Sequence, residues 1–152
     1  MGQTEKIIAG LEPPALEGLT RAPFPRLADF CYEKGIVVIS DEIHCDMAIF
    51  GNKHIPFASI SDKAASCSIT FGAPSKTFNI AGIVCSYAIV PDADLRKKFY
   101  GWMEANEFGA APIFSPIATI AAFRKGEEWR KQMISFSRNY QLLSFKCFFQ
   151  TE

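Results

Sequence analysis

The chain has 152 residues, 49% of them hydrophobic, which is enough apolar material to bury the core of one ordinary domain. Lysine plus arginine and aspartate plus glutamate balance at 16 each, so no charge excess points to nucleic acid or an anionic membrane, and a small-molecule or protein partner is expected. No stretch approaches the ~18 consecutive apolar residues of a membrane span.

Residues 1–24 read as a connector. Glu5 to Leu11 has the material for a turn or two of helix, Pro13-Pro14 stops it, and Ala22-Pro23-Phe24-Pro25 continues the irregular run. Pro25 suits a first helical position and Gly35 a position just past the end, so a helix is predicted from Pro25 to about Lys34, with Leu27, Phe30 and Cys31 on one face. Ile36-Val37-Val38-Ile39 is β-branched without alternation, as in a parallel strand covered on both faces. It runs into Ser40-Asp41-Glu42-Ile43-His44-Cys45-Asp46, where three carboxylates and a histidine are out of place as core filler.

Phe50 to Lys53 is a predicted turn, and Ser59 or Ser61 caps a short helical piece through Ala65. Ser66 to Phe71 is a second strand, broken by Gly72-Ala73-Pro74 ahead of Ser75-Lys76. Ile80-Ala81-Gly82 bends the chain, and Ile83 to Val90 is a third strand, ended by Pro91. Asp92 or Asp94 caps the next helix, whose stripe is Leu95, Phe99, Trp102 and Met103. A loop from Phe108 to Pro116 follows, then a short helix with Ile117, Ile120, Ala121 and Phe123 that Gly126 ends. The last helix carries Trp129, Met133, Phe136, Tyr140, Leu143 and Cys147 at steps of three and four, and these stripes read as packing faces.

The 5 cysteines are odd in number and form no CxxC pair, which reads as buried thiols in a reducing cytosol. His44 and His54 have no cysteine at finger spacing, so structural zinc is not expected. Met1 to Gly10 carries Glu5 and Lys6 without a long apolar core and does not read as a signal peptide.

Two stretches carry chemistry. Ser40-Asp41-Glu42-Ile43-His44 and Ser75-Lys76-Thr77-Phe78-Asn79 each follow a strand, which sets an aspartate and a lysine among the loops at one end of a sheet. Open α/β sheets bind ligands there. A lysine amine forms Schiff bases with carbonyls, including pyridoxal phosphate. That cofactor also needs an acidic partner at its pyridinium nitrogen to act as an electron sink. Lys76 and Asp41 are the candidates for the two roles.

Taken singly, each has a plainer reading. Lys76 is one of ten lysines and suits a solvated surface. Asp41 suits a helix cap or an arginine partner, and His44 and His54 suit structural positions. Glu42 and Asp46 are expected to be solvated or to support a neighbour. The sequence has no GxSxG elbow, GxxxxGK[ST] phosphate loop or HExxH pair. Cys45 beside His44 at a strand end would point away from it, which argues against a cysteine–histidine nucleophile.

Val37 to Met47 and Ala73 to Gly82 resemble the two central motifs of fold-type I pyridoxal-phosphate enzymes, the class I/II aminotransferase superfamily. Histidine at position 44, His54-Ile55-Pro56 and the segment Ala121 to Trp129 resemble its cystathionine β-lyase (C–S lyase) subgroup. The resemblance makes Lys76 the residue that holds the cofactor and moves the proton at the substrate α-carbon. It sets Asp41 against the pyridinium nitrogen, Ile43 beneath the ring and His44 beside the phenolic oxygen, and it counts Ser75 among the cofactor-binding residues. Ala73 stands where a phosphate-binding serine is common, and Val84 where aminotransferases often carry an arginine. By the same resemblance the phosphate-binding loop would precede Met1, and the arginine that grips the substrate carboxylate would follow Glu152.

The expected fold class is therefore α/β, a mostly parallel sheet with flanking helices, the strand after Lys76 being antiparallel. Residues 25–152 are expected to form the central and C-terminal part of a cofactor-binding large domain. The implied activity is β-elimination from cystathionine or a cysteine conjugate to pyruvate, ammonia and a thiol. Aminotransfer is the nearest alternative, and an inactive remnant or partner-dependent fragment is the alternative of another class. The implied partner is an amino-acid substrate, the family is typically homodimeric, and the expected location is the cytoplasm.

Overall fold

The computed structural model describes residues 7–9, 23–109 and 111–149. These form two compact units: one takes the described residues up to Ile43 with Ile55–Ala73 and Ser86–Ala111, the other His44–His54, Pro74–Cys85 and the residues from Pro112 onward.

The first unit is built on a sheet of four strands in the order β1-β2-β3-β4, with β1 Ile7–Ala9, β2 Val37–Asp41, β3 Ser68–Gly72 and β4 Tyr87–Ile89. The β1–β2 and β2–β3 pairs are parallel and β3–β4 is antiparallel, as the family resemblance implied. β1 corrects the expectation of helix over Glu5 to Leu11: Ile7-Ile8-Ala9 pairs residue for residue with Val37, Val38 and Ile39. Two β-branched residues beside an open strand edge gain more from ladder pairing than from one turn of helix. The rest of the predicted connector lies outside the described residues, apart from Pro23 and Phe24, which open a helix. β4 is shorter than the predicted third strand and begins only at Tyr87. Tyr87 lies over Gly72, where an added Cβ would come within 2.5 Å of its ring.

Helix α1 (Pro23–Glu33) ends as Gly35 predicts. Gly35 takes φ 62°, its N–H donates to Tyr32 O at 3.2 Å, and the Ile36 N–H donates to Cys31 O at 2.8 Å. These are the two bonds of a Schellman cap, which needs a left-handed residue after the helix. Ala28 and Cys31 of α1 pack with Ile36, Val38, Phe57, Ala64 and Cys67 into one core cluster, flanked by Phe24, Leu27 and Ile60. The inward stripe is thus Phe24, Leu27, Ala28 and Cys31, and Phe30, expected on that face, is exposed. A helix beginning at Pro23 brings Phe24 onto the stripe at the i, i+3, i+4, i+7 spacing. Helix α2 (Asp62–Ser66) is capped by Ser61, whose hydroxyl accepts from the Ala64 N–H at 3.1 Å. Helix α4 (Ala93–Ala105) is capped by Asp92 through the Leu95 N–H at 2.8 Å, and its Phe99 meets Phe71 of β3 edge-on at 5.8 Å.

The second unit holds helix α3 (Pro74–Thr77), α5 (Ser115–Lys125) and α6 (Glu127–Phe149). α3 starts at Pro74, the last residue of the predicted Gly72-Ala73-Pro74 break, and makes a helical turn of Ser75-Lys76-Thr77, for which no helix was expected. Gly126 separates α5 from α6, as predicted. The stripes expected to be packing faces are largely open here: Ile117, Ile120, Phe136 and Tyr140 are exposed. Among the described residues no helix is long and apolar enough to cross a membrane.

Candidate active site

β2 and β3 run parallel, so both end at one edge of the sheet, where Asp41 pairs with Phe71. Side chains alternate between the faces of a strand. Val38, Ser40 and Glu42 are buried on the face covered by the core cluster, while Val37, Ile39 and Asp41 are half-buried on the other. This alternation gives the two neighbouring carboxylates different environments. Asp41 Oδ1 accepts from the Ile43 N–H at 3.2 Å, which turns the chain over just past the strand. The Asp41 carboxylate keeps further acceptor capacity towards the open side.

Of the two roles expected of Glu42, solvated or supporting a neighbour, it takes the second. It is 6% exposed. Its Oε1 accepts from the Ser40 hydroxyl and from the Phe57 N–H, both at 3.0 Å, and its own N–H donates to Phe71 O at 2.9 Å. A buried carboxylate must be hydrogen-bonded, and these bonds tie the segment after Pro56 to the end of β2.

In the second unit, His44 is exposed and its Nδ1 stands 3.5 Å from Met47 Sδ. A 3₁₀ turn, Cys45–Met47, follows it. Ser75 and Lys76 share the single turn α3, Ser75 half-buried and Lys76 exposed. Asn79 ends that turn in the left-handed region at φ 52°. Its N–H donates to Lys76 O at 3.4 Å and the Ile80 N–H to Ser75 O at 3.0 Å, so both carbonyls of the motif are used by its own cap. Asparagine tolerates this backbone better than most residues. Of the two positions that depart from the family pattern, Ala73 is buried and Val84 is exposed.

Three residues around Lys76 escaped sequence reasoning as site residues. Thr77, 1% exposed, donates from Oγ1 to Asp46 Oδ2 at 3.2 Å. Arg130 of α6 donates from Nη1 to Asp46 O at 3.0 Å and forms a two-pronged pair with Glu127 at 2.8 Å on each side. The pair holds the Glu127 carboxyl below its usual range and raises the Arg130 guanidinium. The i, i+3 spacing of Glu127 and Arg130 was a visible signal for that pair. Nothing in the sequence signals a bond between Arg130 and a backbone oxygen 84 residues away.

The chain matches the family model "Aminotransferase class I and II" over residues 18–144. It is 41% identical to cystathionine β-lyase PatB of Bacillus subtilis (strain 168) over 130 residues, which cover 86% of this chain and 34% of that protein. Among solved structures it is similar to cystalysin from Treponema denticola, which contains a pyridoxal 5'-phosphate cofactor, with TM-score 0.80, 29% identity, and 91% of this chain and 35% of that one covered. The pyridoxal-phosphate-bound C–S lyase of Staphylococcus hominis is similar with TM-score 0.70 and 34% identity, over 88% of this chain and 34% of that one. The chain thus spans about a third of the length of these relatives. With most of its length matched by the family model and by a relative of this identity, the chain belongs to the class I and II aminotransferase family.

Proposed function

We propose that this chain carries the lysine- and acid-bearing core of a pyridoxal-phosphate-dependent C–S β-lyase acting on cystathionine or a related cysteine conjugate. The observation that carries the reading is the parallel pairing of β2 with β3, which ends Asp41 and the strand leading into Lys76 at the same sheet edge. Similarity to a cystathionine β-lyase and to the structure of a C–S lyase supports the substrate class. The donor set fits the cofactor: a half-buried carboxylate with acceptor capacity left, an exposed primary amine and an exposed imidazole. When bound, pyridoxal phosphate supplies an electron sink for the pair left at a substrate α-carbon.

The residues divide the work. Lys76 binds the cofactor's carbonyl carbon through its amine and then moves the proton at the substrate α-carbon. Asp41 holds a proton on the ring nitrogen, because a carboxylate beside a cationic acid raises its pKa. When the cofactor is bound, Ile43 would pack beneath the ring, His44 would lie beside the phenolic oxygen and Ser75 would add a contact at the lysine turn. In the proposed reaction the Cα–H and Cβ–S bonds break, the sulfur leaves as a thiol with a proton, and the 2-aminoacrylate that remains takes up a water as its C–N bond breaks, giving pyruvate and ammonia. Residues 25–152 serve as part of the large domain, in a cytoplasmic protein.

Two other readings have specific support. The family model itself is named for aminotransferases, which favours amino-group transfer. The exposure of Ile113, Phe114, Ile117 and Phe136, at 65–79%, favours a chain that depends on a partner or is an inactive remnant.

The test begins with pyridoxal phosphate added to the chain. A visible absorption band is expected, fixed onto Lys76 by borohydride and absent in Lys76→Ala. Turnover of cystathionine by the isolated chain is expected to be weak or nil, because most donors for the phosphate and the substrate carboxylate are absent from these motifs. No fixation at Lys76 overturns the cofactor reading. Steady pyruvate release lost in Lys76→Ala overturns the expected inactivity, and amino-group transfer without pyruvate release favours the aminotransferase reading.

A further inference from the structure

The helical turn that carries Lys76 has four residues. A single turn is not stable by itself, because its nucleation cost exceeds what one hydrogen bond returns. The direction in which Lys76 leaves the backbone is therefore set by what grips the turn from outside. Two grips are present, both on the residues that follow the lysine.

The first is polar. Thr77 Oγ1 donates to Asp46 Oδ2 at 3.2 Å; Thr77 is 1% exposed and Asp46 half-buried, so the hydroxyl is shielded on the donor side. Asp46 is held in turn from its backbone side by Arg130 Nη1 at 3.0 Å. The guanidinium is aimed by its two bonds to Glu127, both 2.8 Å. The second grip is apolar. The Phe78 ring meets Phe123 edge-on at 5.3 Å and Trp129 at 6.3 Å, and it presses so closely on Gly126 that an added Cβ there would lie 2.6 Å from it. Thr77 and Phe78 together leave the turn little freedom to roll.

We infer that Asp46, Thr77 and Arg130 are positioning residues for Lys76, an inference that rests on the proposed role of that lysine. Asp46 is the junction. Its carboxylate fixes the turn bearing Lys76, while its backbone, fixed by Arg130, belongs to the 3₁₀ turn that directly follows His44. One aspartate thus sets the lysine and the imidazole against each other. A threonine hydroxyl suits this task because χ1 of a β-branched residue is stiff.

The experiment compares wild type with Thr77→Val, which keeps the shape and loses the hydroxyl, and Thr77→Ser, which keeps the hydroxyl. Each chain is titrated with pyridoxal phosphate, the adduct is fixed with borohydride, and the absorption band is followed against pH. Thr77→Val is expected to bind about tenfold more weakly, the factor an ordinary hydrogen bond gives. It is also expected to shift the pH at which the band changes form, and Thr77→Ser to restore both. Without cofactor, amide exchange at Phe78 and Ile80 should quicken in Thr77→Val and in Asp46→Asn.

An unchanged affinity and pH profile in Thr77→Val overturns the inference. Joint loss of the band and of helical circular dichroism in both Thr77 variants makes Thr77 a packing residue and also overturns it. Wild type that gives no adduct at Lys76 removes the reading of the lysine, and the inference with it.

Discussion

The backbone N–H of Phe57 donates to Glu42 Oε1 at 3.0 Å, closing an excursion of 15 residues onto the end of β2. The acceptor lies one residue from Asp41, on the opposite face of the strand. Glu42 therefore anchors the strand end from the core side while Asp41 faces the open side. Glu42→Ala strands two buried donors, the Phe57 N–H and the Ser40 hydroxyl, and is expected to cost about 2–3 kcal/mol. Glu42→Gln keeps an acceptor and should cost less. Urea unfolding followed by circular dichroism measures both, and an alanine variant as stable as wild type would refute the anchoring role.

The hydroxyls of Ser68 and Thr70, both in β3, are buried without a hydrogen-bond partner. Thr70→Val replaces one of them with a methyl group of similar size. It is expected to raise stability by roughly 1 kcal/mol, since an unmade bond is lost along with its desolvation cost. A lowered urea midpoint would mean that the hydroxyl is satisfied in solution.

The Glu127–Arg130 pair gives an acid-dependent contribution to α6. The hydrogen bond from Arg130 lowers the Glu127 pKa in the folded chain, with the arginine's charge acting the same way. A depressed carboxyl pKa stabilises the fold above the unfolded value and loses that effect as pH falls through the folded value. The helical signal should therefore weaken on acidification below the ordinary glutamate range. Glu127→Gln should remove this part of the pH dependence at neutral-pH stability close to wild type, because an exposed pair contributes little. An acid titration identical in the two chains would count against the pair.

Burial raises the thiol pKa of both Cys31 and Cys67, which belong to the core cluster. The reactive species is the thiolate, so both should resist an aromatic disulfide reagent in the native chain. Cys45 and Cys85, half-buried, should be modified before Cys31 and Cys67. Mass mapping of the labelled peptides before and after denaturation reads the order, and native labelling of Cys31 ahead of Cys45 would contradict this packing.

What could be read from the residues alone is whatever a few neighbours decide among themselves. Gly35 past the end of α1, Ser61 and Asp92 at their caps and Gly126 after α5 each act through one backbone angle or one side-chain bond within four residues. The β-branched run at Ile36 to Ile39 announced a parallel strand, and the family motifs carried Asp41 at the end of β2 and Lys76 after β3. The tertiary structure alone decided what depends on distant segments meeting. Ile7–Ala9 became a strand because an edge of β2 was there to pair with. Glu42 became a buried anchor because Phe57 returned to it. Arg130 found the backbone of Asp46 across 84 residues, a bond no local pattern encodes. The apolar stripes of α5 and α6 were legible as stripes, yet periodicity states only which face is apolar. Whether anything covers that face is a property of the packed chain, and Ile117 and Phe136 remain exposed.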